Sequence, residues 1–188
     1  IPGLKSVNAV DEAGVHPLLL AIGSERYTPY NSERKPQEIL TIANHILGKG
    51  QLSLAKYLFI VAGEDNPNLD VQNEYDFFQH VFERVDWSRD LHFQTKTTMD
   101  TLDYSSTGEI NEGSKVVCSV AGEIKRSLCE SIDNLNLDNA LQNPQLLMPG
   151  VLIIEGKDID LIKEALAKSD LNGIAFITLV DDSTFVAK

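Results

Sequence analysis

An apolar segment that runs into a turn crowded with carboxylates constrains this chain more than any other feature. Residues Tyr57 to Ala62 are almost continuously apolar, which is typical of a central strand buried on both faces. The turn that follows, Gly63 to Asn68, contains Gly, Asn and Pro together with Glu64 and Asp65. We therefore predict a buried strand that delivers polar groups to a sheet edge, where open α/β sheets bind their ligands.

A long helix is predicted directly after this turn. Its apolar residues recur at steps of four and three, as on one face of a helix: Val71, Tyr75, Phe78, Phe82 and Val85. We expect Phe78 and Phe82 to be buried against the sheet, and Asp70 to cap the start of the helix. The next strand, Leu91 to Thr95, is predicted to lie parallel to the central strand because a helix connects the two.

A second apolar strand, Ile174 to Val180, resembles the first because it also ends in acidic residues, Asp181 and Asp182. We expect it to lie inside the same sheet as Tyr57 to Ala62, since polar residues are nearly absent from both. Between the two strands the pattern predicts a helix from Glu123 to Ile132. The stretch from Asp133 to Pro149 is predicted to be a connector that covers apolar surface.

Composition narrows the fold and the possible partners. The chain has 188 residues and is 43% hydrophobic, so it is able to bury a substantial core. We predict a single three-layer α/β domain over residues 1–188, with a mostly parallel or mixed sheet and helices on both faces. The first residue is Ile1 rather than Met, and we expect the domain to be a fragment of a longer chain.

The net charge of −12 argues against nucleic acid and anionic membranes as partners, because both require clustered Lys and Arg. No apolar run approaches the twenty residues of a membrane span, and the sequence contains no signal-peptide pattern. Cys118 and Cys129 have no histidines nearby at metal-binding spacing, so we expect buried, reduced thiols and a cytoplasmic location.

Four polar residues at predicted strand ends are candidates for a substrate pocket: His16, Glu64, Asp65 and Asp181. Each also has a structural interpretation. A histidine at a strand end often bonds to the backbone, and acidic groups there often cap the next helix, as we expect of Asp158. No glycine-rich phosphate loop or nucleophile elbow occurs, and no catalytic Ser-His-Asp or Cys-His group is assignable.

Several segments resemble the C-terminal region of the UbiD family of prenylated-flavin-dependent decarboxylases. They are residues Gly14–Gly23, Leu54–Asp70, Val85–Leu91 and Gly113–Ala121. That family has a strand ending in a VDDDIDP-like turn, a helix, an R-x-DP-x-RD-like turn and a GSK-x-x-x-DAT-like strand. The matching positions here are Ala62–Pro67 for the first turn, then Arg84, Asp86, Arg89 and Asp90 for the second turn, and Gly113-Ser114-Lys115 for the strand.

The resemblance implies the C-terminal domain of a carboxy-lyase that acts on aromatic or α,β-unsaturated acids, such as 3-polyprenyl-4-hydroxybenzoate. It implies prenylated FMN and a divalent metal, Mn, in the full-length enzyme. The family's catalytic residues and its flavin and metal ligands fall in regions before Ile1, so no cofactor is expected in this fragment. The implied partners are the missing N-terminal flavin-binding domains and further copies in a homo-oligomer.

Two other interpretations remain open. The chain is also compatible with a non-catalytic module whose sheet edge or helix face forms an oligomer. A free-standing hydrolase or nucleotide enzyme of the doubly wound kind is the third alternative. Fold alone does not decide among them.

Overall fold

The computed structural model describes residues 1–10, 17–27, 32–101 and 109–181. The chain divides into two compact units, one comprising Ile1–Phe77 and Arg84–Glu123 and the other Phe78–Glu83 and Ile124–Lys188. No helix of the described ranges combines the length and the apolar character that crossing a membrane requires.

The first unit contains a five-stranded mixed sheet in the order β1-β2-β3-β5-β4. Its strands are β1 (Leu4–Ala9), β2 (Leu18–Gly23), β3 (Tyr57–Ala62), β4 (Leu91–Thr98) and β5 (Glu112–Val120). The three inner strands run parallel, and both edge strands are antiparallel to their neighbours. The predicted α/β fold is therefore confirmed, and β3 has the bounds that its apolar run predicts.

One face of this sheet packs against helix α1 (Glu38–Leu47). The helix follows Pro36, whose fixed φ suits a helix start, and Gly48 lies at its C-terminal cap. Its apolar residues recur at helical spacing and form a core with the inward side chains of β2 and β3: Ile39, Ile42, Ile46, Leu19, Leu58 and Ile60. A short 3-10 helix (Gly50–Leu54) then leads into β3.

The strand after the second helix does not pair as predicted. Strand β5 lies between β3 and β4, and β4 pairs with β5 in antiparallel register. The prediction that Leu91 to Thr95 runs parallel to the central strand is therefore wrong. The chain passes from β3 through the second helix to β4 and then turns back into β5. It is β5, and not β4, that lies beside β3 and runs parallel to it.

Helix α2 (Glu74–Arg84) begins later than predicted, because Asn73 caps it. The Asn73 Oδ1 accepts a hydrogen bond from the Asp76 amide at 3.1 Å, whereas Asp70 accepts from the Gln72 amide in a turn before the helix. Asp70 is therefore not the cap.

The buried face of α2 is also displaced from the predicted one. Val85 is buried as predicted, but Phe77 and Val81, which were not on the predicted face, also have no exposed surface, while Tyr75 is exposed. Phe82 is buried as predicted, and Phe78 is half-buried. The two faces share the same 3.6-residue period and differ by about one position, a difference that periodicity alone does not resolve.

The second unit contains a three-stranded sheet in the order β6-β7-β8, with β7 and β8 parallel. Its elements are β6 (Gln142–Met148), β7 (Val151–Glu155), α3 (Ile159–Lys168) and β8 (Phe176–Val180). The prediction that Ile174 to Val180 lies inside the sheet of β3 is wrong, because β8 is an edge strand of a different sheet. Asp158 caps α3 as predicted, accepting from the amides of Asp160 and Leu161 at 3.1 Å.

Two further predictions fail in this unit. Residues 124–131 contain no helix, because the Cys129 amide donates to the Gly173 carbonyl and its carbonyl accepts from the Gly150 amide, both at 2.9 Å. The predicted connector contains strand β6. Pro144 is tolerated there because β6 is an edge strand with irregular register around this residue.

Candidate functional site

The carboxyl ends of the parallel strands define the candidate site. Strands β2, β3 and β5 run in the same direction and end at one edge of the first sheet, with Gly23 opposite Ala62. The two antiparallel strands begin at this edge, since Leu4 pairs with Gly23 and Leu91 with Cys118. This edge is where α/β sheets usually bind ligands.

Glu64, one of the predicted site residues, joins three segments at this edge. Its Oε1 accepts a hydrogen bond from Lys5 Nζ of β1 at 2.7 Å, and its Oε2 accepts from the Glu25 amide after β2 at 2.8 Å. Partial burial raises the pKa of the Glu64 carboxyl, but the hydrogen bonds from Lys5 and Glu25 outweigh burial and hold this pKa below its ordinary value. The carboxylate therefore stabilises the fold at neutral pH.

Asp65, the second predicted residue, is more deeply buried, with 4% of its side chain exposed. Its Oδ1 accepts from Arg34 Nη1 in an ion pair, and its Oδ2 accepts from the Gly122 amide after β5 at 2.7 Å. Gly122 has φ +105°, and a Cβ there would lie 2.5 Å from the Arg34 carbonyl oxygen. Asp65 thus holds Arg34 next to the end of β5, where only glycine fits.

Two more glutamates hold the start of α1 in a reciprocal arrangement. Glu25 is 2% exposed, and its Oε2 accepts from the amides of Gln37 at 2.8 Å and Ile39 at 3.2 Å. In return, Glu38 Oε2 accepts from the amides of Arg26 and Tyr27. The Glu25 carboxylate therefore satisfies amides that the start of α1 would leave unpaired, and the Glu38 carboxylate holds the segment after β2 to the same helix start.

The second turn that carries the family resemblance lies at the same edge. Asp90 is fully buried and accepts from the Asp86 amide at 2.8 Å and from Arg89 Nε at 2.6 Å. Its carbonyl accepts from the Ser119 amide of β5 at 3.0 Å, which fixes the turn to the sheet. Burial, followed by the Asp90 charge, raises the pKa of the Cys118 thiol to about 12. Cys118 is therefore an unreactive core thiol.

The Gly113-Ser114-Lys115 segment has a structural role too. Lys115 is 4% exposed, and its Nζ donates to the Ser53 carbonyl of the 3-10 helix. Burial lowers the pKa of its ammonium group. At Gly113 a Cβ would lie 2.6 Å from Met99 Cγ, so the backbone and the Met99 side chain approach closely.

Asp181 and His16 are the other two predicted site residues. Asp181 belongs to the second unit, is 79% exposed, and lies 3.8 Å from Lys157 Nζ. His16 lies outside the described residues. Of the four predicted residues, the structure therefore brings together Glu64 and Asp65.

Sequence reasoning missed the residues to which these carboxylates bond. Lys5, Glu25, Arg34 and Gly122 come from four separate segments, and the Asp65–Gly122 bond spans 57 positions. The usable signals were a glutamate shortly after an apolar strand, at Glu25, and a glycine shortly after another, at Gly122.

The groups described at this edge do not fit a metal site or a flavin phosphate. None of the ranges the structure describes contains three His, Cys, Asp or Glu side chains grouped as metal ligands. The carboxylates at the sheet edge accept from backbone amides, Lys5 and Arg34, and their charge does not suit a flavin phosphate. The carboxylates of Glu64 and Asp65 therefore act as clamps, by which we mean that their hydrogen bonds hold separate loops together at this edge.

Comparison with known sequences identifies a family. Residues 1–120 match the model of the 3-octaprenyl-4-hydroxybenzoate carboxy-lyase C-terminal domain. An uncharacterized protein of Chlamydia trachomatis is 38% identical over 128 residues, which cover 68% of this chain and 20% of that protein. A Chlamydia pneumoniae protein whose name describes part of a 4-hydroxybenzoate decarboxylase is 31% identical over 183 residues, covering 97% of this chain and 29% of that one. The chain thus spans less than a third of these relatives.

Solved structures show the same fold. The open form of vanillic acid decarboxylase from Sedimentibacter hydroxybenzoicus has a TM-score of 0.52 at 17% identity, over 66% of this chain and 24% of that one. Its closed form has a TM-score of 0.52 at 16% identity, over 89% of this chain and 29% of that one. At these identities the likeness concerns the fold alone.

Proposed function

Because the chain belongs to the family of the 3-octaprenyl-4-hydroxybenzoate carboxy-lyase C-terminal domain, we propose that it is the C-terminal domain of a UbiD-like decarboxylase. The full-length enzyme removes carboxylate from aromatic or α,β-unsaturated acids, such as 3-polyprenyl-4-hydroxybenzoate. The observation that carries this proposal is the family match over residues 1–120. The name of the Chlamydia pneumoniae relative supports the aromatic substrate class.

Within that enzyme, we propose that this domain serves assembly and closes one side of the substrate cleft. The site geometry supports a role without chemistry, because Glu64 and Asp65 are engaged in hydrogen bonds that hold loops together. A general acid or base must instead be able to exchange a proton with the substrate.

Prenylated FMN and Mn are part of this proposal only because the family resemblance implies them for the full-length enzyme. When bound, the flavin supplies the electron sink for decarboxylation. The described residues offer neither a glycine-rich helix start nor a cluster of metal ligands, so we assign both groups to the other domains of the full-length protein. A cytoplasmic location and a homo-oligomer are further parts of the proposal.

The alternative, a module that acts only through contacts, is favoured by one observation. The second unit exposes the apolar side chains of Leu147, Phe176 and Leu179, and β8 is an edge strand. The two proposals differ in one testable respect, which is whether the full-length protein catalyses decarboxylation.

The test compares the full-length protein, the protein lacking this region and the 188-residue chain alone. Each is loaded with prenylated FMN and Mn and assayed for carbon dioxide release from hydroxybenzoate-type and cinnamate-type acids. We expect activity from the full-length protein, at least a tenfold loss in the truncated protein, and neither activity nor flavin binding in the chain alone. An inactive full-length protein that binds flavin favours the contact module, and carbon dioxide release by the chain alone refutes the domain assignment.

A further inference from the structure

Three apolar side chains form a row across one face of the first sheet. Val116 of β5 pairs with Tyr57 of β3 on one side and with Phe93 of β4 on the other. Side chains that lie opposite each other in neighbouring strands share a face of the sheet. Phe93 is 70% exposed and Tyr57 is 45% exposed, so this set, which we call the aromatic row, lies at the surface.

The other face of the same strands is covered. Leu58 and Val117, which follow Tyr57 and Val116 in the chain, are 1% and 2% exposed and lie in the core formed with α1. Parallel strands such as β3 and β5 are usually buried on both faces, and aromatic side chains are enriched at the cores of interfaces. The exposed aromatic row therefore indicates a surface that another element covers.

The size of the aromatic row favours a cover that belongs to the same protein. A stable interface between separate molecules takes roughly 20 to 30 residues a side, far more than this row contains. A smaller contact suffices between domains of one chain, because the link raises their effective concentration to about the millimolar range. This chain covers 29% of the Chlamydia pneumoniae relative, so most of that relative lies outside the aligned region.

Pairing of two copies through the strand next to this row is disfavoured. Strand β4 is an edge strand, but Lys96 has φ +53° and the register shifts between Gln94 and Thr97. An irregular edge that carries a lysine is a common protection against strand-to-strand association. A second copy is therefore a poorer occupant than a domain of the same chain.

We propose, resting on the function proposed above, that the aromatic row docks against the N-terminal domains of the full-length protein. The row lies at the start of β3, whereas the clamps at Glu64 and Asp65 follow its end. The domain is thus attached through one part of the sheet, and its loops are held together at another.

Hydroxyl-radical footprinting tests the docking, because the oxidation rate of each aromatic side chain, read by mass spectrometry, follows its exposure. We expect Phe93 and Tyr57 to be oxidised at least about fivefold more slowly in the full-length protein than in the 188-residue chain. Tyr75 is the matched control, since it is 51% exposed in the same unit, and its rate is expected to be equal in both proteins. Equal rates for Phe93, or an equal slowing of Tyr75, would overturn the proposal.

Variants of the full-length protein give a second test that does not use the chain alone. Phe93→Ser removes half of the aromatic pair and should raise the oxidation rate of Tyr57, whereas Tyr75→Ser should not. Tyr57→Ser is the reciprocal variant and should raise the rate of Phe93. An unchanged rate at the remaining aromatic residue in both variants contradicts the docking.

Two further outcomes separate this proposal from its alternatives. Slower oxidation of Phe93 in the 188-residue chain when that chain is concentrated would assign the row to a second copy and overturn the proposal. Footprinting does not depend on catalysis. An inactive full-length protein with Phe93 protected would refute the decarboxylase and support the docking, and an active one with Phe93 unprotected would refute the docking alone.

Discussion

Strands β3 and β8 look alike in sequence but occupy different environments. Each is an apolar run that ends in acidic residues, Glu64 and Asp65 in one case and Asp181 in the other. Strand β3 lies in the middle of a five-stranded sheet, whereas β8 is the edge of a three-stranded one. The acids after β3 bond to amides and cations of other segments, while Asp181 is mostly exposed. An acidic strand end thus takes its role from the segments around it.

The largest expected difference between the two strands comes from deleting the same side chain in each. Leu58 of β3 is 1% exposed and Leu179 of β8 is 42% exposed. We expect Leu58→Ala to lower the free energy of unfolding by about 2 to 5 kcal/mol, and Leu179→Ala by about 1 kcal/mol or less. Urea unfolding followed by circular dichroism measures both. Equal losses would show that β8 is covered in solution.

Gly122 provides a sharper test of the clamp at the end of β5. Gly122→Ala places a Cβ 2.5 Å from the Arg34 carbonyl oxygen, at a residue with φ +105°. We expect a loss of about 1 to 3 kcal/mol in the free energy of unfolding. The matched control is Gly50→Ala, which also has positive φ but no atom within 4 Å of the added Cβ. A loss no greater than that of the control would mean that the Arg34 backbone moves away from Gly122 at little cost in free energy.

The smallest expected effect concerns pH and Glu64. Its pKa is lower in the folded chain than in the unfolded one, because the hydrogen bonds from Lys5 and Glu25 outweigh burial. Its contribution is therefore fully present above the unfolded pKa and is lost as pH falls through the folded pKa. Glu64→Gln should remove the part of the stability loss at low pH that protonation of Glu64 causes. Asp181→Asn is the control at an exposed carboxylate. Parallel curves of unfolding midpoint against pH for wild type and Glu64→Gln would contradict this account.

Part of the local structure was predictable from sequence. The bounds of β3 follow from its apolar run, and the Asp158 cap follows from residue type and position. The sheet to which β8 belongs was not predictable, because both apolar strands have the same local pattern and long-range pairing decides between them. The prediction for β4 was wrong for a different reason, because β4 pairs with the next strand in the chain, β5, rather than with β3.

At the candidate site, the positions of the acidic residues were predictable from sequence, but their hydrogen-bond partners were not. Glu64 and Asp65 were predicted at the sheet edge, because a turn after a buried strand must lie there. Their hydrogen-bond partners were not, since Lys5, Arg34 and Gly122 are brought together only by tertiary structure. Their hydrogen bonds favour the structural interpretation of Glu64 and Asp65 over contact with a ligand.

The most direct test of this account is a pair of double-mutant cycles on the two acidic strand ends. One cycle uses Arg34→Met and Asp65→Asn, and the other uses Lys157→Met and Asp181→Asn, with urea unfolding as the measurement. The Arg34–Asp65 pair has a largely buried carboxylate, and we predict a coupling of about 1 kcal/mol or more. For the exposed pair, Lys157–Asp181, we predict a coupling within about 0.3 kcal/mol of zero. Equal couplings in the two cycles would contradict the claim that the acids after β3 are clamps and the acid after β8 is not.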